Sequence, residues 1–243
     1  MRIAAGIAAL LAALAVVAAG AAGGGAGAVV KLEDARLKFE INATDGDGGV
    51  QVFIDAESWR QMSIFDPTGR RIFTTQTEGR MGLQGGTELF LESAEPTFAK
   101  LPLERLLERF PEGTYTFRGT GLRGERYVGG ARLSHDIPRG PKLVSPLEGG
   151  PAQDPDRTVV RWQGVPPPNG SPIIAYEVLV VQPKTGLRAL PTATLDMMMP
   201  PTARSLSVPR GFLRPGTEYE WEVLAIERGG NQTLSSSTFR TGR

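Results

Sequence analysis

The run from Leu213 to Phe239, LRPGTEYEWEVLAIERGGNQTLSSSTF, constrains the fold of this chain more than any other stretch. Pro215-Gly216 makes a turn, after which Tyr219, Trp221, Val223 and Ala225 alternate with Glu218, Glu220, Glu222 and Leu224. Alternation with period two predicts a strand with one buried face and one face turned mostly to water. Gly229-Gly230-Asn231 then reverses the chain, and the Ser/Thr-rich run to Thr238 has the composition of a returning strand. A pair like this closes a two-sheet β-sandwich, with Tyr219 at the corner where such folds tie a phenol to the backbone.

The remainder agrees with an all-β reading. Glycine (31) and proline (19) are frequent in the 243 residues, and beyond the N-terminus helical periodicity is short, so turns joining strands are expected throughout. No cysteine is present, which excludes disulfides, thiolate metal sites, a cysteine nucleophile and a cysteine-linked lipid anchor.

Residues 1–28 differ in kind. Arg2 precedes an Ala/Leu/Ile/Val run from Ile3 to Ala22, followed by Gly and Ala. A positive start, an apolar centre and small residues at Ala26-Gly27-Ala28 predict a secretory signal peptide, and Ala19-Gly20-Ala21 is an equally suitable cleavage site. The alternative is an uncleaved membrane anchor, which the dominance of alanine and glycine disfavours. Export to a bacterial periplasm or beyond is the expectation. Once Arg2 is removed, Lys/Arg and Asp/Glu are equal in number. Charge thus proposes neither nucleic acid nor an anionic membrane as partner, and membrane contact is expected only if the N-terminal segment stays uncleaved.

From Val29 the chain reads as successive strands. Leu37, Phe39 and Ile41 alternate with charged residues, and Ala43 to Gly49 is a dense turn. Val50, Val52 and Ile54 open a second strand. Arg60–Phe65 and Arg70–Thr74 flank Asp66-Pro67-Thr68-Gly69, which has type I turn chemistry and predicts a hairpin. Gly79–Gly86 reads as loop and Thr87–Glu92 as strand. Leu103, Leu106, Leu107 and Phe110 fall at i, i+3, i+4 and i+7 between Pro102 and Pro111, predicting one short amphipathic helix over 102–110 that plugs a sandwich end. Phe110-Pro111-Glu112-Gly113-Thr114-Tyr115 echoes the Leu213–Tyr219 stretch, so a first sandwich is expected to end as the second does. Ile137-Pro138-Arg139-Gly140-Pro141 reads as a stiff linker.

From about Pro141 the chain resembles a fibronectin type III domain. Val159-Val160-Arg161-Trp162 looks like that family's second strand with its core Trp, followed by Pro166-Pro167. Ile173, Tyr176, Val178 and Val180 match the third strand, and Leu206 and Val208 fit the fifth. Leu213, Pro215, Gly216, Tyr219, Val223 and Ala225 reproduce the sixth-strand pattern in order. The resemblance implies a non-catalytic β-sandwich module. The last loop, Arg228–Gln232, holds no Arg-Gly-Asp, so integrin-type adhesion is not implied. Residues 29–140 are similar only in general style to immunoglobulin-like domains of secreted bacterial proteins.

Few residues suggest chemistry. Asp45 and Asp47 in Asp45-Gly46-Asp47-Gly48-Gly49 are the most metal-like pair, offering hard oxygens to calcium with help from Asn42; the competing reading is a polar turn. Glu88 and Glu92 would share a strand face, which is usually just solvated. His135 is the single histidine and has no nucleophile motif around it. No fingerprint of a hydrolase, P-loop or dinucleotide enzyme is present, so no catalytic residue is expected. Trp59 beside a strand start is a candidate sugar-stacking platform or a core residue. Met197, Met198 and Met199 cannot all point inward from one strand, which makes them either a partner-binding edge or a surface packed against the first sandwich. The turn residues Arg228 and Asn231 are a second candidate surface.

The sequence therefore predicts an all-β chain of two tandem immunoglobulin-like sandwiches, 29–140 and 141–243, behind a signal segment at 1–28. The expected role is an exported, non-catalytic binding or spacer protein whose partner is an extracytoplasmic protein or glycan. A calcium- or carbohydrate-binding module and an accessory domain pair of an extracytoplasmic hydrolase stay open as alternatives. No cofactor is expected, calcium excepted.

Overall fold

The computed structural model describes residues 27–182 and 194–243. The expected leader at 1–28 lies almost wholly outside the described residues. Fourteen strands, two short α-helices and one 3-10 turn at Pro168–Gly170 are present among the described residues. In chain order they begin with β1 (Val29–Lys31), β2 (Asp34–Asn42), β3 (Asp47–Phe65), β4 (Arg71–Gln76), α1 (Met81–Gln84), β5 (Gly86–Glu92) and α2 (Leu103–Arg109). They continue with β6 (Gly113–Gly121), β7 (Arg126–Leu133), β8 (Leu143–Ser145), β9 (Val159–Trp162), β10 (Ile173–Val181) and β11 (Thr194–Met199). The last three are β12 (Ser205–Ser207), β13 (Glu218–Glu227) and β14 (Gln232–Arg240). The all-β class holds, and the one amphipathic helix stands within a residue of its expected ends, between Pro102 and Phe110.

Two compact units divide these elements. The first comprises the described residues up to Leu37, with Gln51–Glu92 and Gly113–Arg132. Its spine is β3 from Gln51 onward, part of one 19-residue strand where the sequence predicted two. The register shifts between Asp55 and Trp59 and again before Gln61, so the strand bulges instead of ending. Even-numbered Val52, Ile54, Ala56, Met62 and Ile64 are buried, and the bulge lets odd-numbered Trp59 turn inward as well. The expected hairpin is present: β3 pairs with β4, and Gly69 N–H donates to the Asp66 carbonyl at 2.9 Å. Asp66 Oδ1 accepts from Thr68 N, Thr68 Oγ1 and Arg70 N, which holds its carboxyl below the usual range. Tyr115 and Phe117 of β6 are fully buried, and burial pushes the Tyr115 phenol up to about 12.

The second unit holds Lys38–Val50, Ser93–Glu112 and Leu133–Arg243. Its strands form two sheets, one in the order β12-β9-β8 and the other containing β14-β13-β10-β11. Between them lie Val160, Trp162 and Leu206 from the first sheet and Tyr176, Val178, Val180, Trp221, Val223, Ala225 and Phe239 from the second. This is the seven-stranded sandwich that the fibronectin type III resemblance implied. Tyr219 makes the corner: its hydroxyl accepts the Arg214 N–H at 2.7 Å, and its ring stacks on Phe239 at 5.7 Å.

An eighth strand was not foreseen. Residues 40–42 of β2 run parallel to β14, with Glu40 beside Gln232, Ile41 beside Thr233 and Asn42 beside Leu234. The segment expected to be a linker is also bonded to this sheet. Thr233 Oγ1 donates to the Pro138 carbonyl at 2.6 Å, and Asn231 Nδ2 donates to the Ser134 carbonyl at 3.0 Å. Residues 133–140 therefore partition with the second unit rather than between two units.

Candidate functional site

Among the described residues the last strand of the second unit's larger sheet is β11. It pairs only with β10 among the described residues, through Met197 opposite Val178, Met198 opposite Glu177 and Asp196 opposite Leu179. Alternation sends Leu195, Met197 and Met199 toward the sandwich side, where Leu195 and Met199 pack on the core. Thr194, Asp196 and Met198 face the outer side. Met197 and Met198 are 38% and 46% exposed, while Met199 is half-buried. The three methionines thus divide as the alternation requires, and two of them stand in the open.

The outer face of this sheet departs from expectation. Glu222 and Leu224 of β13 were predicted to face water, yet both are buried, together with Leu179, Val181 and Leu234. Glu177 is only 1% exposed, and among the described residues its carboxylate has no amide, hydroxyl or basic donor and meets the acid Asp196 instead. The register sets Asp196, Leu179 and Glu222 in one row across β11, β10 and β13, with Glu177 diagonal to both acids. Desolvation first, then the neighbouring Asp196, raises the Glu177 carboxyl to about 7. Desolvation also raises Glu222, to about 8, helped by Glu220, Glu40, Glu177 and Asp45. Lys38, whose positive charge acts on Glu177, donates its Nζ to Gln232 Oε1 at 2.6 Å. Gln232 in turn donates to Glu40. These carboxylates carried a weak signal in the sequence: the unbroken apolar run Val178–Val181 and Leu224 amid glutamates both indicate a sheet buried on two faces.

The second candidate surface is largely closed. Arg228 and Gly229 are exposed, but Asn231 is only 1% exposed. Asn231 Oδ1 accepts the Phe39 N–H at 3.0 Å, and its Nδ2 reaches the carbonyl and hydroxyl of Ser134. Buried Glu227 organises the turn by accepting from Gly229 N, Asn231 N and Ser171 Oγ. Asn231 is a structural tie, because an amide side chain offers both the acceptor and the donor that this junction needs.

Trp59 offers no platform for a sugar. It is 4% exposed, its Nε1 donates to the Thr87 carbonyl at 3.2 Å, and its ring lies on Gly86. A ring face that is already covered cannot stack on a ligand.

Asp45 and Asp47 part ways. Asp45 is exposed and accepts from Asn42 Nδ2 at 3.2 Å, while Asn42 Oδ1 is occupied by the N–H groups of Thr44 and Asp45. Asp47 is buried, its Oδ1 has no donor, and desolvation followed by Asp45 raises its carboxyl. Among the described residues neither belongs to a set of three acidic, histidine or cysteine side chains converging at ligand distance. The arrangement fits an Asx-type turn.

His135 donates its Nε2–H to the Phe110 carbonyl at 2.9 Å and packs edge-on against Phe39. It is a packing residue with no nucleophile in contact. No helix among the described residues is long and apolar enough to cross a membrane.

Fold and edge together define a β-sandwich of immunoglobulin-like fold, in which β11 is the last strand of the second unit's larger sheet among the described residues. No family model matches the chain. No curated protein matches it either. Solved structures do. Fibronectin(III)-like modules of Clostridium thermocellum CbhA align over 87% of this chain and 93% of theirs, at 10% identity and a TM-score of 0.36. The FN1–FN3 domains of chicken CNTN1 align over 90% of this chain and 69% of theirs, at 12% identity and a TM-score of 0.34. A two-domain fibronectin type III segment of chicken tenascin aligns over 86% and 99%, at 11% identity and a TM-score of 0.30.

Proposed function

We propose that this chain is an exported, non-catalytic binding module that takes a protein partner along the open edge of β11. The observation that carries the reading is the exposure of Met197 and Met198 on the last strand of the sheet. An unpaired strand edge is a template for strand addition, and unbranched methionine adapts to an irregular neighbour. The positively started apolar segment at 1–28 supports export. A spacer role without a binding edge is the competing reading.

Photo-crosslinking in the organism that encodes the chain tests the choice. A benzophenone side chain at position 198 is expected to trap one defined species that the same group at exposed Leu147 does not trap. Met197→Pro, which blocks strand addition, should abolish the adduct. Equal, diffuse labelling from both positions would favour the spacer.

A further inference from the structure

In the first unit the large apolar side chains that stand exposed are Val29, Met81 and Leu83, at 59%, 56% and 82%. All three gather at one end of the unit. Met81 and Leu83 belong to α1, on the loop that leaves β4 after Gln76 and returns to β5 at Gly86. The loop is rooted beside the middle of β3, where Thr77 N–H donates to the Arg60 carbonyl at 2.8 Å. The turn between β6 and β7 lies next to it, because Gly121 pairs with Trp59. Gly85, which ends α1, packs on that turn: a Cβ at position 85 would meet Leu122 Cδ1 at 3.3 Å. Val29 pairs with Arg126, just past the same turn. A cluster of exposed apolar side chains marks a contact surface. The exposed charges around it, Arg60, Arg80 and Arg123 with Glu57 and Glu78, are mixed in sign. The contact it makes is therefore apolar in origin.

The chain also enters the unit at this end. Gly27 N–H donates to the Gly124 carbonyl at 2.9 Å, and the sequence just before Gly27 carries Arg2 and the apolar run from Ile3 to Ala22. We infer that the exported chain is held at a lipid bilayer by two signals together, this apolar segment and the tip formed by Met81, Leu83 and Val29. Neither signal suffices alone. A run dominated by alanine and glycine partitions weakly, and a few exposed apolar side chains bind a bilayer only marginally. Joined, they reinforce one another, because a segment lodged in the bilayer keeps the tip at a high effective concentration beside it. The positive start at Arg2 keeps that end on the cytoplasmic side, so Gly27 emerges on the exported side with the tip next to it. Unbranched Met81 suits an irregular lipid boundary as well as a protein one.

The test uses the full chain reconstituted in vesicles of phosphatidylcholine and phosphatidylglycerol. Because the sequence has no cysteine, Leu83→Cys and Arg70→Cys each accept a single environment-sensitive fluorophore. Arg70 is the exposed control, on the turn beyond Phe65 at the other end of the β3–β4 pair. At position 83 the emission is expected to shift to the blue and to lose at least half its intensity when the lipids carry a shallow nitroxide. Position 70 should lose little. Added salt should leave the quenching at 83 unchanged, since an apolar contact is not screened. Met81→Asp, placed in the Leu83→Cys chain, should remove most of the quenching, with an unaltered Tm showing that the fold is intact. The mass of the chain recovered from the membranes of an exporting bacterium should include residues 1–28. No quenching at 83, or equal quenching at 83 and 70, overturns the lipid contact. A chain that has lost residues 1–28 overturns the two-part attachment. A blue shift that grows with protein density and resists the nitroxide lipids would assign the tip to a second copy and likewise overturn the inference.

Discussion

Asn231 and Phe39 are 192 residues apart in sequence, yet the side-chain Oδ1 of the first accepts the backbone N–H of the second at 3.0 Å in a buried setting. The same amide donates to Ser134, so one side chain joins the turn before β14, the strand β2 and the segment after β7. The glycine-rich turn that looked like a ligand loop is the junction of three pieces of chain.

Asn231→Ala removes both functions at once. A buried polar group left unpaired costs about 1–3 kcal/mol, and here the Phe39 N–H and the Ser134 carbonyl each lose a partner. In a chain of this size each kcal/mol lowers the Tm by about 2–4 °C. Thermal unfolding is expected to show a fall of about 5 °C or more. A change within a degree would mean that water replaces the amide fully. Arg228→Ala, on the exposed part of the same turn, should leave the Tm unchanged.

Tyr219→Phe tests the corner. The ring and its stacking on Phe239 survive, so the variant deletes only the acceptor for the Arg214 N–H. The expected cost is about 1–3 kcal/mol by urea unfolding, with no change in slope. An unaltered midpoint would show that the corner hydroxyl contributes nothing net.

Local patterns in the sequence foretold what local physics determines. The Tyr219–Ala225 alternation, the Asp66–Gly69 turn and the helix between Pro102 and Pro111 all stand in the structure where their side chains require them. Long-range partnerships left no such trace. Nothing in the Leu37–Ile41 alternation indicates that residues 40–42 pair with β14, because a strand's own period does not name its neighbour. Asn231 looked like a surface candidate because turns usually are, and Trp59 read as either core or platform; the burial of both follows from partners distant in sequence, Phe39 and Thr87. Met197 and Met198 were legible, since three consecutive methionines on one strand cannot share a face. The acids Glu177 and Glu222 were hidden by the habit of reading every glutamate on a strand as solvated.

Gly86→Ala probes the seat of Trp59. A Cβ at position 86 would lie 2.6 Å from the indole ring, well inside contact distance. The ring is held on its other side by the core and by the bond to Thr87, so it cannot simply swing away. Overpacking of this kind costs about 1–3 kcal/mol. Indole fluorescence should shift together with a lowered Tm. Normal stability would imply that β5 slides without penalty, contrary to its register with β3.

The buried acids make stability depend on pH in an unusual direction. Glu177 and Glu222 have folded values of about 7 and about 8, against 4.5 for an ordinary glutamate. Between pH 4.5 and 8 the folded chain therefore binds protons that the unfolded chain has released. Folding takes up protons in this window, so stability falls as pH rises through it and levels off above the folded values. Below pH 4.5 both states are protonated and these two groups exact no penalty. At pH 8 the combined effect is on the order of a few kcal/mol. Urea midpoints measured from pH 5 to pH 8.5 are expected to decline steadily. Glu222→Gln keeps the shape of the side chain and removes one titration. Its decline should be shallower, and at pH 8.5 the variant should be more stable than the parent. A midpoint that climbs between pH 5 and 8, or a glutamine variant that tracks the parent at every pH, would show that Glu222 is solvated in solution and that the outer face of the sheet is open to water.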